Sequence, residues 1–218
     1  SDEEKATGVI ACSAGNHAQG VALAAQKAGI KAVICLPDSA PISKVEATKS
    51  YGAEVVLVPG VYDDAYKKAI ELRDSKGYTF VHPFDDEDVI AGQGTIALEI
   101  LEELEDIDAI IVPIGGGGLI AGIAYAVKKL RPQIKVYGVQ AAGAPSMYNS
   151  IKAGKKVSLD SVSTIADGSR IRQKTRIYEI ISVVFHQKQL AASVEGEYED
   201  SRSGRDGAGV VSRETAEV

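Results

Sequence analysis

From residue 8 to about residue 140 the chain alternates short β-branched runs with stretches of helical apolar spacing, and no other feature constrains its fold as strongly. Strands joined through helices can share a sheet only as crossover units, so the repeated alternation predicts an α/β protein with parallel twisted sheets and flanking helices. The expected strands are Val9–Cys12, Ala32–Leu36, Glu54–Val58, Tyr78–Val81, Ala109–Pro113 and Lys135–Val139. Between the first two, Ala18, Val21, Ala22 and Ala25 recur at spacings of three and four, with Gly29 just beyond as a stop. The same reasoning places helices at about Ser43–Tyr51, Asp63–Lys76, Gly94–Leu104 and Gly118–Leu130. Ser1-Asp2-Glu3-Glu4 has the Ser-x-x-Glu form of a helix start. With that opening and no initial methionine, the chain is expected to begin partway into a longer protein.

The run His82-Pro83-Phe84-Asp85-Asp86-Glu87-Asp88 interrupts the alternation, and a domain boundary is expected there. Residues 1–86 then form a small α/β domain and residues 87–168 the first part of a larger α/β domain. After Gly168 the alternation stops. Apart from the apolar stretch Ile177–Val184, residues 169–218 are atypical, with charge and glycine gathered at the end, and are expected to be partly disordered.

At 218 residues, 45% of them hydrophobic, the chain can bury a real core. A net charge of −6 excludes nucleic acid as a partner, because little here could neutralise a run of phosphates. No apolar run approaches the roughly 20 residues of a membrane span, so a cytoplasmic location without membrane partners is expected. Cys12 and Cys35 sit inside apolar strands and read as small buried hydrophobes. These two cysteines and the three histidines lack metal-ligand spacing, so no metal site is expected.

Two loops carry the chemistry. Gly115, Gly116, Gly117 and Gly118 lie at a strand-to-helix junction, where bare backbone can approach an oxyanion and the following helix supplies the positive end of its dipole. That arrangement suits a phosphate. The spacing is not that of a nucleotide triphosphate loop, and no acidic residue stands where a dinucleotide ribose would need one, so the phosphate belongs to a small cofactor. The second loop, Ser13-Ala14-Gly15-Asn16-His17, offers a hydroxyl, an amide and helix-start N–H groups within one turn, suited to a carboxylate and a phenolic oxygen. Ser13 could equally be a helix cap, and Asn16 and His17 could bond only the loop itself. His82 reads as a structural histidine before a proline turn, and His186 lies in the atypical tail.

Four segments together resemble the threonine/serine dehydratase (threonine ammonia-lyase) family of pyridoxal-phosphate enzymes, related to serine racemase and cysteine synthase. They are Ala11 to Gly20, His82 to Asp86 with Ile90 to Thr95, Pro113 to Leu119, and Thr164-Ile165-Ala166-Asp167-Gly168. The resemblance covers about Ser1 to Gly168. It implies an incomplete copy of the two-domain, tryptophan synthase β-like (fold type II) architecture, with pyridoxal 5'-phosphate as cofactor. Gly115 to Gly118 and Leu119 would hold the cofactor phosphate, and Asn16 the 3-hydroxyl oxygen of its ring. Ser13, Ala14, Asn16 and His17 would surround the substrate carboxylate, with Ser13 the catalytic acid/base of the racemase relatives. The implied reaction deaminates L-threonine to 2-oxobutyrate and ammonia, and the complete enzyme would be a homo-oligomer.

Three departures stand out. The family's Schiff-base lysine would lie upstream of Ser1 and is absent, and Lys44, the nearest decoy, reads as the first turn of a surface helix. Nothing after Gly168 matches, so Ser201, Ser203 and Ser212 receive no role. Gln140 and Ser146 stand where the racemase branch has cation-binding carboxylates. The isolated chain is therefore expected to be inactive. The alternatives are a non-catalytic phosphate- or amino-acid-binding module, or a racemase-type enzyme.

Overall fold

The computed structural model describes residues 1–164, Ala166, Ile177, Ser193 and Val194. The expected disorder of the tail, His186, the three tail serines and the remainder of the Thr164–Gly168 motif lie outside the described residues. The chain divides into two compact units, Ser1–Val89 and Ile90–Val218.

The first unit opens with α1 (Asp2–Thr7), whose start is closed by a capping box between Ser1 and Glu4. Its sheet contains β1 (Val9–Cys12), β2 (Ala32–Pro37), β3 (Glu54–Val58) and β4 (Thr79–Phe80), all parallel, in the order β3-β2-β1-β4. The pleat of β1 and β2 divides the core by residue parity. Ala11, Ala32, Ile34 and Leu36 pack with Ala18, Ala22 and Ala25 of α2 (Asn16–Ala28). Ile10, Cys12, Val33 and Cys35 meet Ala65 and Ala69 of α4 (Tyr62–Lys76) on the other face. The helix between them, α3 (Ile42–Ser50), lies against α2 and β3. Strands are added outward from β1 to β3, and then the chain returns to the opposite side of β1. Right-handed crossovers reverse their face when the direction reverses, which is why α4 lies opposite α2. The sheet order therefore turns back between β1 and β4, and in such sheets ligands gather beyond the carboxyl ends of the strands at that point.

In the second unit β5 (Ala109–Pro113), β6 (Lys135–Ala141) and β7 (Ser193–Val194) form a parallel sheet in that order. α6 (Gly118–Leu130) buries Ile120, Ala121, Ile123, Ala124 and Val127, and the sheet residues Val112, Ile114 and Val136 are also buried. α5 (Glu87–Glu103) crosses α6 closely: a Cβ on Gly122 would run into the Ile90 carbonyl and lie 2.6 Å from the Gly94 nitrogen. The opposite face of β5, carrying Ala109, Ile111 and Pro113, is exposed, Ile111 by 70%.

β1, β3, β5 and α6 take their expected bounds. α5 begins seven residues before the expected Gly94, because Asp86 Oδ1 accepts the N–H groups of Asp88 and Val89 and starts the helix, and its interior glycines do not interrupt it. β4 is shorter than Tyr78–Val81 and, among the described residues, pairs with β1 alone, although the Val81 N–H still reaches the Ile10 carbonyl at 2.9 Å. α7 (Ser146–Ala153) and β7 had no counterpart among the expected elements. Among the described residues no helix is long and apolar enough to cross a membrane.

Candidate functional site

The Ser13–His17 loop leaves the carboxyl end of β1 at the point where the sheet order turns back. Ser13 is half-buried, and its Oγ accepts the Gly15 N–H at 3.2 Å, which curls the loop. Ala14 packs against the α2-side core, whereas Asn16 is exposed. Gly15 is the N-cap of α2 and supplies no side-chain hydrogen bond, and the first turn contains no acidic residue. Among the described residues no side chain takes its N–H groups, which suits an anion, and the helix dipole favours one.

The imidazole of His17 is engaged: Nε2 lies 3.0 Å from the Val81 carbonyl. A carbonyl can only accept, so Nε2 carries the proton of the neutral ring. Burial pushes the ring's pKa below the ordinary 6.5, against the upward pull of the Val81 bond and the Asp86 charge. His17 can still meet a ligand through its backbone N–H, while its side chain points to β4. Sequence reasoning missed Val81, since a backbone carbonyl 64 positions away leaves no signature in residue type. His82 follows directly. Its Nδ1 accepts the N–H groups of Phe84 at 3.3 Å and Asp85 at 2.8 Å, and its ring stands edge-on to Phe84 with centroids 4.7 Å apart. That is a structural use of the ring.

Cys12 and Cys35 are register partners on β1 and β2, both buried and unbonded to each other. Burial pushes their thiols up to about 12 and about 11, so they behave as apolar packing and not as nucleophiles. Lys44 lies in the first turn of α3 and is half-buried.

In the second unit the chain passes from β5 through Gly115 and Gly116 into α6. Gly117 is the N-cap with φ 99°, a left-handed conformation that favours glycine. Among the described residues no side chain caps this helix, and no acidic residue occupies its first turn. Gly116, Gly117 and Gly118 are buried, and Gly115 and Leu119 half-buried. A buried helix start whose Gly118, Leu119 and Ile120 N–H groups no described side chain caps fits the phosphate of a small cofactor, since buried donors demand an acceptor. On this donor set the residues present fit pyridoxal phosphate.

Gln140, at the carboxyl end of β6, uses Oε1 to accept the N–H groups of Met147 at 3.1 Å and Tyr148 at 3.0 Å, closing the start of α7. That oxygen is committed to the helix. Its Nε2 is buried without a hydrogen-bond partner among the described residues.

Residues 1–195 match the protein family described as pyridoxal-phosphate dependent enzyme, so the family match continues past Gly168, where the sequence reading expected it to stop. The chain is 43% identical to an L-threonine ammonia-lyase of Thermotoga maritima, over 97% of this chain and 54% of that protein. It is 51% identical to a biosynthetic L-threonine dehydratase of Pasteurella multocida, over 79% of this chain and 34% of that protein. Among solved structures it resembles the processed form of threonine deaminase isoform 2 from Solanum lycopersicum, with TM-score 0.80 and 44% identity, covering 84% of this chain and 50% of that one. Maize serine racemase gives TM-score 0.82 and 38% identity, covering 88% and 57%. The chain thus spans about half the length, or less, of the curated relatives it matches.

Proposed function

This chain belongs to the pyridoxal-phosphate-dependent enzyme family, and we propose that it is a portion of a threonine/serine dehydratase that deaminates L-threonine to 2-oxobutyrate and ammonia. Its parallel-sheet architecture is that of the fold type II members. The observation that carries the reading is the pair of uncapped helix starts, α2 and α6, each following a parallel strand through a glycine-containing turn.

The division of labour is the one the family resemblance implies, and the helix-start donors are consistent with it. Gly115 to Gly118 and Leu119 hold the cofactor phosphate through backbone N–H groups, and Asn16, the exposed residue at the start of α2, bonds the 3-hydroxyl oxygen of its ring. The N–H groups around Ser13, Ala14, Asn16 and His17 orient the substrate carboxylate, where the dipole of α2 favours negative charge. Ser13, whose Oγ accepts the Gly15 N–H, is the residue proposed to pass a proton to or from the substrate. The bound cofactor supplies the electron sink for charge left at the substrate's α-carbon.

None of the lysines in these 218 residues has the context of the family's cofactor-linking lysine. Loss of that group removes both the covalent anchor and the usual proton acceptor, so residues 1–218 alone are expected to bind cofactor without turnover. Titration of the purified chain with pyridoxal phosphate, followed by fluorescence, tests the reading. Saturable binding that Gly117→Val weakens supports it, and no binding by the unaltered chain sinks it. Release of 2-oxobutyrate from threonine faster than free cofactor achieves would overturn the inactivity. A racemase reading draws on the likeness to maize serine racemase. D-Serine in place of a 2-oxo acid as the product of the complete protein would decide for it.

A further inference from the structure

We propose that His17 is a positioning residue that takes the place of a helix cap: its imidazole, bonded to the Val81 carbonyl, fixes the first turn of α2 while leaving that turn's N–H groups open to an anionic ligand. The anionic ligand rests on the function proposed above; the fixing of the helix start rests on the geometry alone.

A helix start leaves its first N–H groups without partners, and the common remedy is an oxygen-bearing side chain that accepts one or two of them. This molecule uses that remedy repeatedly. Ser1 and Glu4 close α1, Asp64 accepts the Val61 N–H before α4, Asp86 accepts two N–H groups of α5, and Gln140 accepts two of α7. At α2 it does not. The N-cap is Gly15, the first turn holds no acid, and the nearest hydroxyl, Ser13 Oγ, accepts from Gly15 and not from the helix. A capping oxygen there would occupy the donors that a carboxylate needs, and an acidic one would repel it.

An uncapped first turn frays unless something else holds it, and the bond from Gly15 O to the Gln19 N–H, at 3.3 Å, is a long one. His17, the second residue of the helix, supplies the hold from the side. Its Nε2–H donates to Val81, and the Val81 N–H is itself bonded to the Ile10 carbonyl of β1 at 2.9 Å. The loop leaves β1 covalently at Cys12 and is tied back to β1 through His17, Val81 and Ile10. Both of its ends are fixed to one central strand, across the point where the sheet order turns back, and no helix N–H is consumed.

Amide hydrogen exchange on the purified chain tests this without reference to any ligand. The amides of Gln19, Gly20 and Val21, whose acceptors are first-turn carbonyls, are expected to exchange about tenfold faster in His17→Ala, the size of one lost hydrogen bond. Amides near Ala25 in the same helix should keep their protection, which controls for global unfolding. His17→Gln, whose Nε2 can replace the ring donor, should restore protection, whereas His17→Leu should not. Unchanged exchange in His17→Ala, or rescue by Leu and not by Gln, would overturn the proposal. In parallel, the affinity of the cofactor-loaded chain for L-threonine, whose carboxylate the α2 N–H groups receive, should fall about tenfold in His17→Ala and recover in His17→Gln. Equal affinity in His17→Ala would overturn the ligand half of the inference. Failure of the unaltered chain to bind pyridoxal phosphate would refute the function proposed above, while the exchange result would still decide the role of His17.

Discussion

The ring of His17 gives the fold a measurable acid sensitivity. Its folded pKa lies below the ordinary 6.5, so the unfolded chain takes up this proton at a higher pH than the native one. The stabilisation is therefore complete above about pH 6.5 and lost progressively as pH falls below it, toward the depressed native value. Urea unfolding at pH 7 and pH 5 should show a larger loss in the unaltered chain than in His17→Gln. Equal losses would mean that another group governs the acid limb. The cysteines give a second prediction of this kind. With burial holding Cys12 near 12 and Cys35 near 11, iodoacetamide at pH 8 should label the native chain at least ~100-fold more slowly than the urea-unfolded chain. Labelling at the rate of a free thiol would contradict the burial. At this scale the sequence named the residues of the loop but not their partners. Ser13 to His17 were legible because hydroxyl, amide and glycine stand together in one turn. The imidazole's commitment to Val81 was not, because backbone acceptors are anonymous.

Among the elements, legibility followed how local the deciding interaction is. β1, β3, β5 and α6 are bounded by periodicity and by nearby glycine and proline, and they were read to the residue. The start of α5 depends on Asp86 acting as a cap inside an acidic run, and that run reads from sequence as an interruption. α7 escaped notice because its eight residues are held from another element, through the Gln140 amide. Gln140→Leu removes both of those acceptor contacts and should cost about 1–2 kcal/mol in urea unfolding. A neutral result would mean that the start of α7 finds other partners at no cost. The crossing of α5 and α6 is more demanding. With no room for a Cβ at Gly122 between the Ile90 carbonyl and the Gly94 nitrogen, Gly122→Ala should destabilise by about 1–3 kcal/mol. A stable alanine variant would show that the two helices can separate freely.

For the molecule as a whole, the two units differ in how completely they cover their sheets. Parallel sheets are normally covered on both faces, yet the β5 face bearing Ala109, Ile111 and Pro113 is exposed among the described residues. Ile111→Lys should therefore raise the soluble yield of the purified chain without lowering its melting temperature. A drop in melting temperature would show that Ile111 is packed in solution. The first unit is different: α2 and α3 cover one face of its sheet, α4 covers the other, and each face has its own core. Such a unit is a portable cassette. Residues 1–89, excised and expressed alone, should melt in a single cooperative step by circular dichroism and carry the Ser13–His17 loop with them, so that the binding proposed for it can be transplanted or rebuilt outside the parent chain.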